Sequence, residues 1–134
     1  MQFADRADSV TESPPAKSVP PLRRQTLFNP ETRRRSIQWH QPFRCVRFAE
    51  IDLDFGFETR ADHSIDLDDP GSAATRIEHR LHFKRGTWRV EIISVAELTA
   101  TPATYNPRGT LEVRENGEPV FRREWAPLIP RTCS

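Results

Sequence analysis

The sequence predicts an all-β domain, either an antiparallel meander or a partial β-sandwich, that follows an extended N-terminal arm. From residue 42 onward, polar and apolar residues alternate with a period of two. Short turn sequences rich in Gly, Pro and Asn separate the alternating runs. No segment of ten or more residues places apolar side chains at the i, i+3, i+4 spacing of an amphipathic helix. Together these patterns favour short strands joined by hairpins.

Residues 1–41 are predicted to form a separate arm that is extended or disordered. Prolines are frequent between residues 14 and 30, and few apolar residues stand between them. Such a segment buries too little apolar surface to offset the entropy of ordering it. The arm carries seven basic and four acidic side chains, and RRRS at 33–36 resembles a basic-directed phosphorylation site. Residues 42–134 are predicted to form the β domain.

Two alternating runs define the first part of the β domain. The run FRCVRFAEIDLDF places most of its apolar side chains on one parity, with Arg47 as the exception. The run TRIEHRLHF is predicted to be a half-buried strand. The apolar parity of the two runs contains Phe43, Cys45, Ala49, Ile51, Leu53, Phe55, Ile77, His79, Leu81 and Phe83.

The C-terminal half is predicted to form further strands joined by tight turns. Gly86 lies in the turn KRGT, where it can adopt positive φ. The next run alternates until Ile92–Ile93, which indicates either a bulge or a stretch buried on both faces. The sequence TPATYNPRG is predicted to break the chain at 101–109. Asn116-Gly117 predicts a hairpin before a last strand that places Phe121 and Trp125 on one face.

The large apolar residues are too few for the β domain to enclose a thick core of its own. A sheet of about 90 ordered residues needs a cover on its apolar face. The sequence therefore indicates that something outside this domain completes the fold.

Charge and length limit the partners and the compartment. The 134 residues carry 20 Lys and Arg against 19 Asp and Glu, a balance that does not favour binding nucleic acid by charge. No run reaches the roughly 18–20 apolar residues of a membrane-spanning helix, and the N-terminus lacks the basic and apolar regions of a signal peptide. Cys45 and Cys133 lie far apart without a CxxC partner, which favours reduced thiols in a cytoplasm.

An acidic segment before the second run has part of the spacing of a calcium-binding loop. Asp66, Asp68 and Gly71 occupy the first, third and sixth places of an EF-hand loop. Pro70 at the fifth place has no side-chain oxygen, and Ile77 at the twelfth cannot supply the bidentate carboxylate. The segment is therefore predicted to be a turn in which Asp68 or the aspartate after it accepts backbone N–H groups.

The sequence indicates neither a zinc site nor a catalytic constellation. His79 and His82 are three residues apart, so on a strand their rings point to opposite faces, and His79 is predicted to be a hydrogen-bonded core residue. No serine lies in a G-x-S-x-G elbow, and the chain has no G-x-G-x-x-G and no P-loop. Trp39, Trp88 and Trp125 are predicted to be packing anchors. We therefore predict no catalytic, metal-binding or cofactor-binding residues, no cofactor and no enzyme activity.

Two stretches resemble a known family: DHSIDLDDPGSAATRIEHRLHFKRGTWRVEI at 62–92 and LEVRENGEPVFRREWAPLIPR at 111–131. They are similar to the C-terminal region of bacterial hydrolases of the X-Pro dipeptidyl-peptidase and cocaine esterase group. The residues that carry this resemblance are Ser64, Ile65, Asp68, Asp69, Pro70, Ser72, Ala73, Gly86, Thr87, Trp88, Val120, Phe121, Arg123, Trp125, Ile129, Pro130 and Arg131.

The resemblance implies a jelly-roll-like β domain that lies behind an α/β-hydrolase domain with a Ser-His-Asp triad. No residue of this chain matches the nucleophile, the acid or the base of that triad, so none is assigned. The resemblance therefore implies a stand-alone or truncated C-terminal β domain without catalysis of its own. Two alternatives remain open. One is a small β-sandwich interaction module that docks through its exposed sheet on a hydrolase-like protein or on itself, and the other is an adaptor whose basic arm binds an acidic partner.

Overall fold

The sheet dominates the computed structural model, which describes residues 10–11 and 21–132. Within these residues, nine strands form a single antiparallel sheet and no α-helix occurs. This confirms the predicted all-β antiparallel meander. The strands are β1 (Val10–Thr11), β2 (Arg23–Asn29), β3 (Arg34–Phe48), β4 (Leu53–Asp66), β5 (Asp69–Arg85), β6 (Trp88–Ala100), β7 (Thr104–Glu115), β8 (Glu118–Trp125) and β9 (Ile129–Pro130).

The strand order places β5 at the centre of the sheet. From β3 to β8, each strand pairs with the next one along the chain. The short strands β1 and β2 share the outer edge of β3, and β8 and β9 share the outer edge of β7. Within the described residues, extensive contacts join only hydrogen-bonded neighbours, so the sheet is a single layer.

The arm predicted over residues 1–41 differs from the structure at Val10–Thr11, which form β1, and from Arg23 onward. β2 pairs with β3 along its whole length, and β3 itself begins at Arg34. Composition misses these strands because sheet pairing satisfies the backbone N–H and C=O groups even where the side chains are polar. The rest of the predicted arm, residues 1–9 and 12–20, lies outside the described residues.

Ion pairs hold the β2–β3 hairpin against the turn that joins β4 to β5. The Arg33 guanidinium lies 3.1 Å from Asp68, and that of Arg34 lies 3.0 Å from Asp66. Asn29 closes the hairpin, because its Oδ1 accepts the backbone N–H of residue 31. Two arginines of the basic run are therefore already paired with acidic side chains of the same chain.

The prediction that Phe43 and Cys45 share the face of Phe55 is wrong. A bulge shifts the register within β3, and Val46 pairs with Phe55 instead. The predicted run is also interrupted, because a 3-10 turn at residues 49–51 separates β3 from β4. A shift of one residue moves every following side chain to the other face. Periodicity alone does not locate such a shift.

The break predicted at 101–109 is shorter in the structure. The turn ends at residue 103, and β7 begins at Thr104. Pro107 lies inside β7 and pairs with Leu98 of β6. On the other side of β7, it lies between the stretch paired with β9 and the stretch paired with β8. A residue without a backbone N–H is tolerated at such an unpaired edge.

Positive φ angles confirm two of the predicted turns. Gly86 has φ 57° between β5 and β6, and Asn116 and Gly117 have φ 49° and 85° between β7 and β8. The Asn116 side chain also accepts the backbone N–H of Arg89 at 2.9 Å. This bond ties the β7–β8 turn to the neighbouring hairpin.

Replacing Gly117 with valine is expected to lower the free energy of unfolding by about 1–3 kcal/mol, because a β-branched residue is strained at positive φ. Urea unfolding followed by circular dichroism measures the change. Glu118→Val adds the same side chain one residue later, in a strand, and is expected to change stability by less than about 0.5 kcal/mol. Equal losses in the two variants would contradict the strained-turn explanation.

Candidate interaction surface

The strand register separates the side chains into two chemically different faces. Cross-strand partners in an antiparallel pair point to the same side, so a row of partners can be followed across the sheet. One such row contains Trp39, Ala61, Ile77, Ala96 and Gly109. We call the side with this row the apolar face and the opposite side the charged face.

The apolar face carries almost no charge on the four strands β4–β7. The register places two charged side chains of these four strands on the apolar face, Arg85 and Glu115. They are the last residues of β5 and β7. The apolar side chains of these strands on this face are Leu53, Phe55, Phe57, Ala61, Ile65, Ile77, Leu81, Phe83, Trp88, Val90, Ile92, Ala96, Leu98, Ala100, Tyr105, Pro107, Leu111 and Val113.

Nothing in the described part of the chain covers the apolar face. Among the residues that the structure describes, Ala61 is the one buried hydrophobic side chain, at 5% exposure, and no side chain is fully buried. Trp88 and Leu98 on this face are 42% and 45% exposed. A half-apolar sheet in a globular protein packs this face against a second layer. That layer is absent from the described residues, so the face is the candidate functional surface.

An aromatic cluster forms the centre of one end of the apolar face. The ring of Phe55 lies 5.1 Å from that of Phe83 and 5.7 Å from that of Phe57. Ring separations in this range are favourable for aromatic pairs. The cluster spans two neighbouring strands and gives this end of the face a continuous apolar surface.

The polar side chains on the apolar face bond to one another. His79 Nδ1 lies 3.0 Å from the Thr59 hydroxyl, and His63 Nδ1 lies 3.1 Å from that of Thr75. The predicted hydrogen bond of His79 is therefore confirmed, although its side chain is exposed rather than in a core. His82 lies on the opposite face, as the strand geometry predicted.

All three tryptophans lie on the apolar face. Trp39 pairs with Ala61, Trp88 pairs with Arg85, and Trp125 pairs with Gly109. The Trp39 ring lies 6.4 Å from that of His63. The Trp125 ring lies 3.3 Å from the position that a Cβ atom on Gly109 would occupy. Their positions on three different strands fit packing anchors better than a ligand cage.

The charged face is a ladder of ion pairs. Glu78 accepts hydrogen bonds from Arg80 and Arg76, and these bonds hold the pKa of its carboxyl below the ordinary value against the opposing effect of burial. Burial raises the pKa of Glu58, whereas hydrogen bonds from Arg60 and His40 lower it more, so its net shift is also downward. Both carboxylates are held in the charged form, which suits a structural role.

Replacing Glu78 with glutamine is expected to flatten the acid dependence of stability. Because the folded-state pKa of Glu78 is lowered, its contribution is present above the unfolded value of about 4.3 and is lost as pH falls through the folded value. The urea midpoint of the unchanged chain should therefore fall more steeply between about pH 6 and about pH 3 than that of Glu78→Gln. Glu118→Gln, at the exposed first residue of β8, is the control. Parallel pH profiles for all three proteins would contradict this assignment.

An open groove of about 430 Å³ on the charged face contains the one described cysteine. Cys45 and His82 both pair in register with Gly56, and the ring of Phe43 lies in the space that a Gly56 side chain would fill. The Phe43 ring also meets the His82 ring edge-on at 5.4 Å. Sequence reasoning missed this stack, although an isolated glycine within a strand often marks such a close approach.

The chemistry of this groove does not favour nucleophilic catalysis. Burial, followed by the nearby Asp54 carboxylate, raises the pKa of the Cys45 thiol. A raised pKa disfavours the thiolate, which is the reactive form. His82 approaches Glu91 only at 4.0 Å. The groove therefore contains a cysteine and a histidine, as a catalytic thiol site does, but its surroundings do not lower the pKa of the thiol.

The acidic turn between β4 and β5 has the local bonding predicted for it. Asp69 Oδ1 accepts the backbone N–H of Gly71 at 3.0 Å, and the Asp66 and Asp68 carboxylates pair with arginines. Within the described ranges, no group of three His, Cys, Asp or Glu side chains is arranged to hold a metal ion. Cys133 lies outside the described residues.

The fold and the surface define a class of protein: a single-layer antiparallel sheet with one uncovered apolar face. No family model matches the chain, no curated protein is similar to it, and no solved structure matches it. In residues 10–11 and 21–132, no helix has the length and apolar character needed to cross a membrane. The uncovered apolar face is therefore the feature of this protein that indicates a function.

Proposed function

We propose that this protein is a non-catalytic interaction module whose apolar face packs against another protein surface to complete a β-sandwich. The observation that carries the proposal is the uncovered face on β4–β7, where charge occurs only at two strand ends. Large contiguous exposed apolar surfaces on proteins mark interaction sites. Leaving this one in water would forfeit the main favourable contribution to folding.

The dimensions of the face favour a protein partner over a small ligand. Four neighbouring strands at about 4.8 Å spacing give a width of about 15–20 Å, and the 13 residues of β6 extend over about 40 Å. The product is close to the roughly 800 Å² that one partner contributes to a standard protein–protein interface. The flat, single-layer arrangement also lacks the enclosing walls that bury most of a small ligand.

We also propose that the chain is a relative of the C-terminal β domain of acyl and peptidyl hydrolases, and that it acts in the cytoplasm. The turn and anchor residues that resemble the X-Pro dipeptidyl-peptidase and cocaine esterase group support the first point. A hydrolase-like protein is accordingly one partner class for the face. The free thiol of Cys45 supports a reducing compartment.

The adaptor alternative has less support. It requires the basic arm to be available for an acidic partner, whereas two of the arginines of that arm, Arg33 and Arg34, are already paired with Asp68 and Asp66. Arg35 lies over the ring of Phe28 on the apolar face instead. The surface that is available for a partner is the apolar face.

Thiol labelling in cells that express the full chain tests the proposed docking. With both natural cysteines replaced by serine, Ala96→Cys places a thiol on the apolar face and Glu97→Cys places one on the charged face. Both residues lie next to each other on β6, and Ala96 is exposed on the isolated sheet. We expect a maleimide to label Ala96→Cys at least about 10-fold more slowly than Glu97→Cys in the folded protein, with equal rates in denaturant.

Equal labelling rates in the folded protein would contradict the docking proposal. The proposal that the protein is not a catalyst is tested separately, by measuring hydrolysis of a p-nitrophenyl ester by the purified chain. Turnover above the buffer rate that is lost on unfolding would contradict it.

A further inference from the structure

We propose that the occupant of the apolar face is a second copy of this chain, so that two sheets pack face to face as a two-fold symmetric β-sandwich. This inference rests on the proposed function, because it names the partner of the same face. Two apolar sheet faces pack about 10 Å apart with their strands within about 30° of one another. In such an interface both subunits contribute the same surface, as in all two-fold symmetric dimers. Two-fold symmetric dimers are the commonest oligomers.

The surface area of the chain is larger than that of a compact monomer. The accessible surface is 9982 Å², whereas a compact globular chain of 15.5 kDa is expected to expose about 7200 Å². The excess of about 2800 Å² exceeds the roughly 800 Å² that each partner contributes to a standard interface. An interface of standard size would therefore account for less than a third of this excess.

The arrangement of strands suits a two-fold axis along β5. This strand has β4 and β3 on one side, β6 and β7 on the other, and a pair of short strands at each outer edge. Rotation about an axis along β5 places β3 of one copy over β7 of the other and β4 over β6. The sheet is therefore matched to its own two-fold image in width and in strand direction.

One pair of opposite charges at the border of the apolar face is complementary under this rotation. Arg44 of β3 points to this face and pairs in register with Phe57, while Glu115 of β7 pairs with Val90. These two cross-strand rows are adjacent on the same face. Phe57, in the row of Arg44, and Phe55, in the row of Glu115, are successive residues of this face on β4. Stacking β3 over β7 brings Arg44 of each copy near Glu115 of the other. Opposite charges in these positions favour this register over others.

The remainder of the chain cannot supply the second layer. Residues 1–9 and 12–20 are short and Pro-rich or polar. Their apolar side chains other than proline are Met1, Phe3, Ala4, Ala7, Ala16 and Val19. These are too few to cover four strands, so the cover lies outside residues 1–134.

Sedimentation equilibrium of the full chain, from about 1 to about 100 μM, tests the proposal. We expect a dimer whose dissociation constant rises at least about 100-fold in Ile92→Asp, because that change buries an unpaired charge on the apolar face. Ile93→Asp is the matched control, since Ile93 is the next residue of β6 and points to the charged face. Its dissociation constant should change by less than about threefold. A dimer that survives Ile92→Asp, or that is lost equally in both variants while both remain folded, would overturn the inference.

A charge exchange tests the register and does not depend on whether Ile92→Asp folds. Arg44→Glu and Glu115→Arg should each weaken the dimer about 10-fold at low salt, and the double variant should restore it to within about threefold. Additive weakening in the double variant would overturn the two-fold axis along β5.

A folded monomer at every concentration would overturn the second copy as occupant. The labelling comparison in cells then separates the two proposals. Protection of Ala96→Cys would assign the face to a different protein and leave the proposed function standing, whereas full reactivity would remove both.

Discussion

Phe55→Ala is expected to lower the free energy of unfolding of the native assembly by about 3–5 kcal/mol. Phe55 contacts both Phe83 and Phe57, and its cluster lies on the face that we propose to be covered by a partner. Removing a large aromatic side chain from a covered core leaves a cavity, and the lost contacts add to the lost burial. Urea unfolding at a fixed protein concentration, followed by circular dichroism, measures the change.

Phe43→Ala is the matched control for this prediction. Phe43 is 47% exposed and lies on the charged face over Gly56, so no second layer is expected above it. Its removal should lower the free energy of unfolding by about 1 kcal/mol. If Phe55→Ala lowered stability by no more than Phe43→Ala, the apolar face would be exposed to water in the native protein and the account would be wrong.

Deleting residues 1–33 is expected to destabilise the sheet by about 3 kcal/mol or more and to promote aggregation. This deletion removes β2, which pairs with β3 over seven residues, and each lost backbone hydrogen bond contributes about 0.5–1.5 kcal/mol. It also exposes the edge of β3, and an unprotected edge pairs with other chains. Thermal unfolding and light scattering measure the two effects.

Deleting only residues 1–20 retains β2 and is the control for this experiment. We expect this shorter deletion to lower stability by about 1 kcal/mol or less, because it removes only the two-residue pairing of β1. If the two deletions were equally well tolerated, residues 23–29 would behave as part of an arm, as their composition suggests, and not as an edge strand.

Much of the fold could be predicted from the sequence because its signals are local. The alternation of TRIEHRLHF gave the correct face for Ile77 and Leu81. The Asn116-Gly117 pair fixed the last hairpin, since few other residues adopt positive φ at both positions. At Ile92–Ile93, the sequence left a bulge or a two-sided stretch open. The register shows regular pairing there, with the two side chains on opposite faces.

The features that could not be predicted depend on contacts between distant segments. The bulge in β3 reverses the faces of Phe43 and Cys45, and the one irregularity in FRCVRFAEIDLDF, Arg47 on the apolar parity, does not locate it. The strand at residues 23–29 forms because β3 offers a free edge and the acidic turn offers partners for Arg33 and Arg34. Neither the edge nor the turn can be identified from the composition of the arm.

The candidate surface was anticipated only in outline. A thin supply of large apolar residues indicated that the sheet needs an external cover. The extent of the uncharged area became visible only when the register aligned residues from four strands, from Leu53 on β4 to Val113 on β7. The choice of the polypeptide that covers the face depends on the shape and charge of the whole face, and no single sequence motif determines it.

Acrylamide quenching of tryptophan fluorescence tests the central claim most directly, because Trp39, Trp88 and Trp125 all lie on the apolar face. In the folded full-length chain at about 100 μM, we predict quenching several-fold weaker than in the urea-unfolded chain. On dilution towards the dissociation constant, quenching should rise before secondary structure is lost, and Ile92→Asp should show the same rise at higher protein concentration. Quenching as strong as in the unfolded chain at every concentration, with circular dichroism still native, would show that the face remains open to water and would contradict the account.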